Sequence, residues 1–281
     1  MEHNFQPLAF YESPHSQYHK RFRAYGNILP VYAPNGWIIP FQIKTPNNST
    51  GIHLAQTVNV ETGATLDITG LMTGEGLEHV VYPERTYNAV RYKAITNVDV
   101  IPKGFHYLEL TVNVGEAKKT YYSEVFNVVD NRGFMRLSFW HNEDFELPNF
   151  HFSFPEGWKF FAFLKTELGK PEYLYEDFIH RRDGYNFAEK IVSLKRYRFE
   201  VLAGEPMWDG LRLARLFNFI TIQSGIRNFP VYELELEVEW EETGYTGIGT
   251  FTADTGNVVI STGKGRALAG DFDESFNKDF T

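Results

Sequence analysis

The stretch "VYELELEVEW" at residues 231–240 constrains the fold of this chain more than any other. Apolar residues and glutamates alternate in it without a break, and successive side chains of a β-strand point to opposite faces. A one-residue slip in pairing would bury the whole glutamate row, so the register is strongly specified. The pattern predicts a half-buried strand in a largely β chain. The apolar row is Tyr232, Leu234, Leu236, Val238 and Trp240, and the acidic row is Glu233, Glu235, Glu237 and Glu239.

The composition agrees with a β-rich chain and argues against several classes of site. The 281 residues include 25 Phe, 16 Tyr and 5 Trp, and aromatic side chains favour both pleated surfaces and protein–protein interfaces. Because cysteine is absent, no disulfide, thiolate zinc site or cysteine nucleophile can form, and we expect synthesis in a reducing compartment. The net charge of −9 argues against a nucleic-acid partner. No apolar run is long enough to span a bilayer and the first residues lack a secretory pattern, so we expect no membrane partner.

Turn signals predict how the chain is divided. Six prolines in the first fifty residues exclude a long helix there. Short strand patterns separated by Gly or Pro turns follow, among them "TLDITGL" (65–71) after the turn at Gly63. Their spacing is that of an immunoglobulin-like sandwich, and Asp183-Gly184 predicts a hairpin. We predict a mainly β fold with two antiparallel β-sandwich-like domains and one short helix. The parts are an extended arm with the first strands (1–50), an immunoglobulin-like domain (51–130), a second β-rich domain containing the helix (131–262) and a C-terminal tail (263–281).

One short segment changes from the period of a strand to that of a helix. Pro206 suits the first turn, where its missing N–H costs nothing, and Asp209 suits the same turn through the helix dipole. A helix this short is marginal alone and must lie against a sheet. We therefore predict a helix near 206–217 that plugs the open end of a sandwich; the alternative is that it presents its arginines to a neighbour. Its apolar face is Met207, Leu211, Ala214 and Phe217 with Leu213 and Leu216 beside it, and its outer side carries Arg212 and Arg215.

The sequence lacks the common catalytic and nucleotide-binding motifs. It contains no HExxH, GxSxG, Walker or GxGxxG pattern. The nine histidines are scattered, and only His15 and His19 have helical spacing, in a segment that prolines break. Adjacent carboxylates such as Glu143 and Asp144 point to opposite faces of a strand and cannot act as a pair. We therefore predict no catalytic residue, no metal and no cofactor.

The order of strand patterns in the middle of the chain resembles a known class of protein. "TYYSEVFNVVD" (120–130) is followed by "PEYLYEDFIH" (171–180) and then by "EKIVSLKRYRFEVLAGEPMWDGLRLARLFNFITI" (189–222). Over about residues 120–242 this order resembles virion structural proteins of tailed bacteriophages that infect Bacteroidota. The resemblance implies a tail, collar or baseplate component and carries over no functional residue.

Our leading hypothesis is therefore a non-enzymatic virion protein, made in the bacterial host cytoplasm. It would form a symmetric ring with copies of itself and contact other tail or connector proteins. We expect the polar segments 1–30 and 263–281 to gain order by wrapping neighbours. The candidate intersubunit contacts are Arg212, Arg215, Glu233, Glu235, Glu237, Glu239, Phe272 and Phe276.

Two other functions stay open. The first is a carbohydrate-binding β-sandwich module for attachment to the host surface, with Trp37, Trp140 and Trp158 as stacking platforms. The second is a hydrolase that uses two remote carboxylates, Glu143 and Glu176.

Overall fold

The computed structural model is mainly β, which confirms the predicted class. It describes residues 8, 10–12, 31–34, 41–46, 48–72, 77–81, 87–92, 101–130, 132–143, 145–147, 152–154, 159–182, 185–241 and 246–261. The immunoglobulin-like subclass stays a prediction.

The described residues form twenty strands and three short helical segments. The strands are β1 (Phe10–Tyr11), β2 (Val31–Pro34), β3 (Phe41–Pro46), β4 (Ser49–Asn59), β5 (Thr65–Asp67), β6 (Leu77–Val81), β7 (Tyr87–Tyr92), β8 (Gly104–Val114), β9 (Ala117–Ser123), β10 (Phe126–Val129), β11 (Met135–Trp140), β12 (Phe145–Leu147), β13 (Phe152–Phe154), β14 (Lys159–Leu164), β15 (Glu172–Arg182), β16 (Tyr185–Gly204), β17 (Phe219–Ser224), β18 (Arg227–Val231), β19 (Glu233–Trp240) and β20 (Thr246–Ser261). The helical segments are α1 (Thr69–Leu71), α2 (Glu205–Leu211) and a 3-10 helix (Arg212–Leu216).

Two sheets contain most of these strands. The larger has eleven strands in the order β1-β9-β8-β10-β2-β14-β11-β17-β18, with β4 on the other edge of β8 and β5 on β4. The second has the order β15-β16-β20-β19, and β3-β7-β6 and β12-β13 form two small sheets. Pairing is antiparallel except between β2 and β10, which run parallel.

The large sheet runs across the predicted domain boundary near residue 131. β2 pairs with β10 on one edge and with β14 on the other, where Phe163 lies opposite Tyr32. Buried side chains from both sides of that position also belong to one hydrophobic cluster. The division into two domains stays a prediction, but any two domains would share this sheet.

The structure corrects two predicted strands. "VYELELEVEW" is not one strand, because Val231 ends β18 in the large sheet and Glu233 begins β19 in the second sheet. The predicted strand "TLDITGL" stops at Asp67, whose side chain accepts a 2.8 Å hydrogen bond from the backbone N–H of Thr69. Hydrogen bonding to the Thr69 side chain, followed by this backbone contact, lowers the pKa of Asp67. The chain turns into α1 at this point. Local side-chain bonds of this kind compete with strand pairing.

The described part of the N-terminal arm is a component of this chain's own core. Leu8 and Phe10 are buried, and the Phe10 ring lies 4.5 Å from the buried Phe41 ring. Leu8 and Phe10 therefore pack within their own chain, because apolar burial outweighs the polar character of the arm. That residues 1–30 contact neighbours stays a prediction. Apart from Leu8 and Phe10–Glu12, residues 1–30 lie outside the described residues.

Candidate assembly surface

The short predicted helix exists and packs between the two sheets. Gly204 precedes it in an extended conformation, and Pro206 lies in the first turn. The helix begins one residue earlier than predicted, so Glu205 and not Asp209 is the acid of the first turn. After Leu211 it tightens into the 3-10 helix, which suits a short piece that must turn back to a strand.

Trp208 anchors this helix to the second sheet. Its indole N–H donates to the carbonyl oxygens of Ala203 at 2.9 Å and Gly247 at 3.2 Å, and its ring lies 6.0 Å from that of Phe251. A Cβ atom at Gly249 would lie only 2.2 Å from the Trp208 ring. The strand therefore needs glycine where the indole crosses it.

The other side of the helical segment packs on the large sheet. The Phe217 ring lies 4.9 Å from Phe139 and 6.2 Å from Phe160, and Leu213 and Ala214 are buried. Leu216, predicted to lie beside the apolar face, is instead 49% exposed, because the 3-10 geometry turns it away from the α-helical face. The plug interpretation is thus supported by contacts on both sides of the segment.

Arg212 and Arg215 lie on the exposed side of the helical segment. The Arg212 guanidinium lies 3.4 Å from the Asp209 carboxylate, and more than half of the Arg212 side-chain surface is accessible. Both arginines lie on the outer side of the helical segment, as predicted, and we call them the basic pair.

The glutamate row lies on the outer face of β19. All four glutamates are exposed, whereas Leu234 is buried and Leu236 and Val238 are half-buried. Tyr232 and Trp240, at the two ends of the apolar row, are more than half exposed. Among the described strands β19 pairs only with β20, so it is an edge of the sheet.

An ion pair between Arg196 and Asp254 lies beside Glu233, at one end of the glutamate row in the same sheet. Arg196 donates from Nε and Nη2 to the two carboxylate oxygens of Asp254, at 2.7 and 2.9 Å. Asp254 lies opposite Glu233 in the ladder and is buried. The bidentate hydrogen bond to Asp254 raises the pKa of Arg196, and the charges of Glu235 and Glu233 add to this effect. Charge-assisted bidentate pairs of this type fix geometry strongly.

The remaining sequence-predicted residues are placed as follows. Trp140 is half-buried; the Lys159 ammonium lies 4.3 Å from its ring centre, and Phe219 on the opposite neighbouring strand stacks on it at 5.6 Å. Its ring is thus engaged by both neighbours, which disfavours it as a sugar platform. Glu143 and Glu176 are exposed, on a loop after β11 and on β15. Trp37, Trp158, Phe272 and Phe276 lie outside the described residues.

We expect two buried histidines to lower the free energy of unfolding in acid. His106 and His141 are buried, and burial lowers the pKa of each, only partly opposed by a backbone hydrogen bond. In the unfolded chain the same groups take up protons near an ordinary pKa of about 6.5. Since the unfolded state then binds more protons, the free energy of unfolding should fall as pH drops below about 6.5 and level off below the lowered native pKa values.

Chemical denaturation at a series of pH values between 5 and 8 (about the range in which histidine titrates) measures this loss. The double variant His106→Gln/His141→Gln should lose that part of the acid sensitivity. Equal slopes for the variant and the wild-type protein would contradict the assignment.

Comparisons with known proteins add no relative. No family model, no curated protein and no solved structure matches this chain. Within the described ranges, no group of three or more His, Asp or Glu side chains has metal-binding geometry. In the same part of the chain, every helix is too short or too polar to cross a bilayer.

Proposed function

We propose that this chain is a non-enzymatic structural subunit of a phage virion, in the tail, collar or baseplate, and that copies join head to tail into a ring. The virion part of the proposal rests on the resemblance over residues 120–242. The head-to-tail part rests on one observation: the basic pair is exposed on a helical segment that packs on the inner side of the second sheet, whereas the glutamate row is exposed on the outer side of that sheet.

The second sheet separates these two surfaces. Trp208 holds the helical segment on the inner side of the sheet, whereas the glutamates leave β19 on the outer side. Opposite charges on two different patches of one chain permit a heterologous contact, which closes into a ring or continues as a filament. Like-charged patches meet in any contact of glutamate row to glutamate row, so that arrangement is disfavoured.

Charge reversal tests this contact. Glu237→Lys/Glu239→Lys changes the end of the row farthest from Arg196, and Arg212→Glu/Arg215→Glu changes the basic pair. We expect each double variant to weaken self-association by about tenfold or more, since close charge pairs at an interface couple by more than 1 kcal/mol. Native mass spectrometry and light scattering at several protein concentrations and salt concentrations give the measurement.

Two kinds of control follow from a contact between the glutamate row of one copy and the basic pair of the next. Glu61→Lys/Glu116→Lys makes the same change in net charge as the acidic-row variant, at exposed turns next to strands of the large sheet, and should leave association unchanged. A mixture of the acidic-row and basic-pair variants should associate again, in alternating order, and so should one chain carrying all four reversals. A chain that stays monomeric at all concentrations and in the presence of other virion proteins would overturn the proposal.

A further inference from the structure

Two tyrosines on the hairpin of β15 and β16 are the largest exposed aromatic pair on one described strand. Tyr173 is 59% exposed and Tyr175 is 68% exposed. They lie directly opposite Lys195 and Ser193 of β16 and therefore share a face with them. We call this surface, Tyr173, Tyr175, Ser193 and Lys195, the ribbon face.

The ribbon face continues the core-facing side of the second sheet. Tyr197, Phe199 and Val201 follow on the same side of β16 and are all buried. The Lys195 ammonium lies 5.5 Å from the Tyr197 ring and 5.7 Å from the ring of Phe229, on an edge strand of the large sheet. The same side of the second sheet is therefore buried at Tyr197, Phe199 and Val201 but accessible beyond Phe229, at Tyr173 and Tyr175.

The tyrosine rings of this face are available for contact. Among the residues that the structure describes, neither ring has a stacking, cation or hydrogen-bond partner, in contrast to Trp140. Lys195 places a positive charge at the border of the face. An aromatic segment that also carries carboxylates would therefore complement it.

Such a segment follows directly along the chain. Ser193 pairs with Tyr175 on one side and with Val258 on the other, and β20 ends three residues later at Ser261. The chain thus continues from a point about 10 Å beyond Tyr175, with residues 262–281 still to come. That part of the sequence contains "DFDESF" at 271–276, which combines two phenylalanines with three acids.

We propose that the "DFDESF" segment binds back onto the ribbon face of its own chain, with Phe272 and Phe276 against the tyrosines and the carboxylates near Lys195. The nine residues from 262 to 270 can span up to about 30 Å, more than the distance required. A connection this short gives an effective concentration in the millimolar range. At micromolar protein the chain's own segment therefore outcompetes that of a second copy. This proposal is independent of head-to-tail assembly.

Cysteine crosslinking tests it in the full-length chain, which has no native cysteine. The variant Ser193→Cys/Ser275→Cys carries one thiol on the ribbon face and one between the two phenylalanines. The control Glu176→Cys/Ser275→Cys has its first thiol next to Tyr175 in the strand but on the opposite face. With a short bismaleimide we expect the link within one chain to form on the order of tenfold faster in the first variant than in the control.

Additional variants separate the possible results. Tyr173→Ser/Tyr175→Ser in the first variant should slow the link to the control rate while the melting temperature stays within a few degrees. Equal rates on both faces would overturn the proposal. A link that forms only between chains, seen when the two single-cysteine variants are mixed, would also overturn it and would assign the ribbon face to a second copy.

Discussion

A chain with Trp208→Ala should lose about 3–5 kcal/mol of its free energy of unfolding, the range for removing a large buried aromatic side chain. Trp208 is 3% exposed and contacts Phe251, and its N–H donates to two backbone carbonyl oxygens that would lose this donor in the alanine variant. The loss is a large part of the total stability of a typical domain. Urea denaturation followed by circular dichroism measures it, and Trp240→Ala, at a 52% exposed site, should cost less than about 1 kcal/mol.

The indole should also be coupled to the glycine beneath it. Gly249→Ala is expected to cost about 1–3 kcal/mol in the wild-type background, because the added methyl overlaps the Trp208 ring. The same change should cost less when position 208 is alanine, since the overlap is gone. Gly169→Ala, with open space around its Cβ, is the control and should stay within about 0.5 kcal/mol. Additive effects of the two changes would show that Trp208 does not lie over Gly249.

Removal of Arg196 should be the second large effect. Arg196→Met leaves the Asp254 carboxylate buried without its bidentate partner, because Asp254 has only 7% of its side-chain surface accessible. We expect a loss of about 3 kcal/mol, the lower end for broken buried pairs, since Arg196 itself keeps 29% of its surface. Thermal and urea unfolding give the measurement.

Two comparisons separate this loss from a general charge effect. Changing both partners, with Arg196→Met/Asp254→Leu, should recover much of the stability, since no buried charge is then unpaired. Lys103→Met breaks the pair with Asp130, in which both side chains are 69% accessible, and should change stability by about 0.5 kcal/mol or less. A loss at Arg196 no larger than at Lys103 would contradict the assignment.

The sequence pattern predicted those secondary-structure elements that are determined by residues close together in the chain. The pairing expected for the hairpin is present, because β15 and β16 are antiparallel up to Arg182 and Tyr185; Asp183 and Gly184 themselves lie outside the described residues. The short helix is confirmed within a residue of its start, because Pro206 and the apolar spacing act within one turn. Trp208 was missed, although the glycines at 247 and 249 in one strand were a signal that something large crosses it.

Contacts between residues that are far apart in the chain could not be predicted from the sequence in the same way. Nothing local distinguishes an arm that wraps a neighbour from one whose Phe10 packs on this chain's Phe41. The parallel pairing of β2 and β10 joins residues almost a hundred positions apart, and loop closure over such distances leaves no periodic trace.

The alternation of side chains by itself determined that this chain is mainly β, which face of β19 carries the glutamates and where the helix interrupts the strands. These properties follow from the two-residue and 3.6-residue periods of the backbone. Only the tertiary structure decided that strands on both sides of residue 131 share one sheet and that Val231 and Glu233 belong to different sheets. It also decided that the helical segment packs on the inner side of the second sheet, away from the glutamate row on its outer side. The physical reason is that sheet pairing and core packing join residues that are distant along the chain, so their partners are chosen by shape and burial and not by sequence spacing.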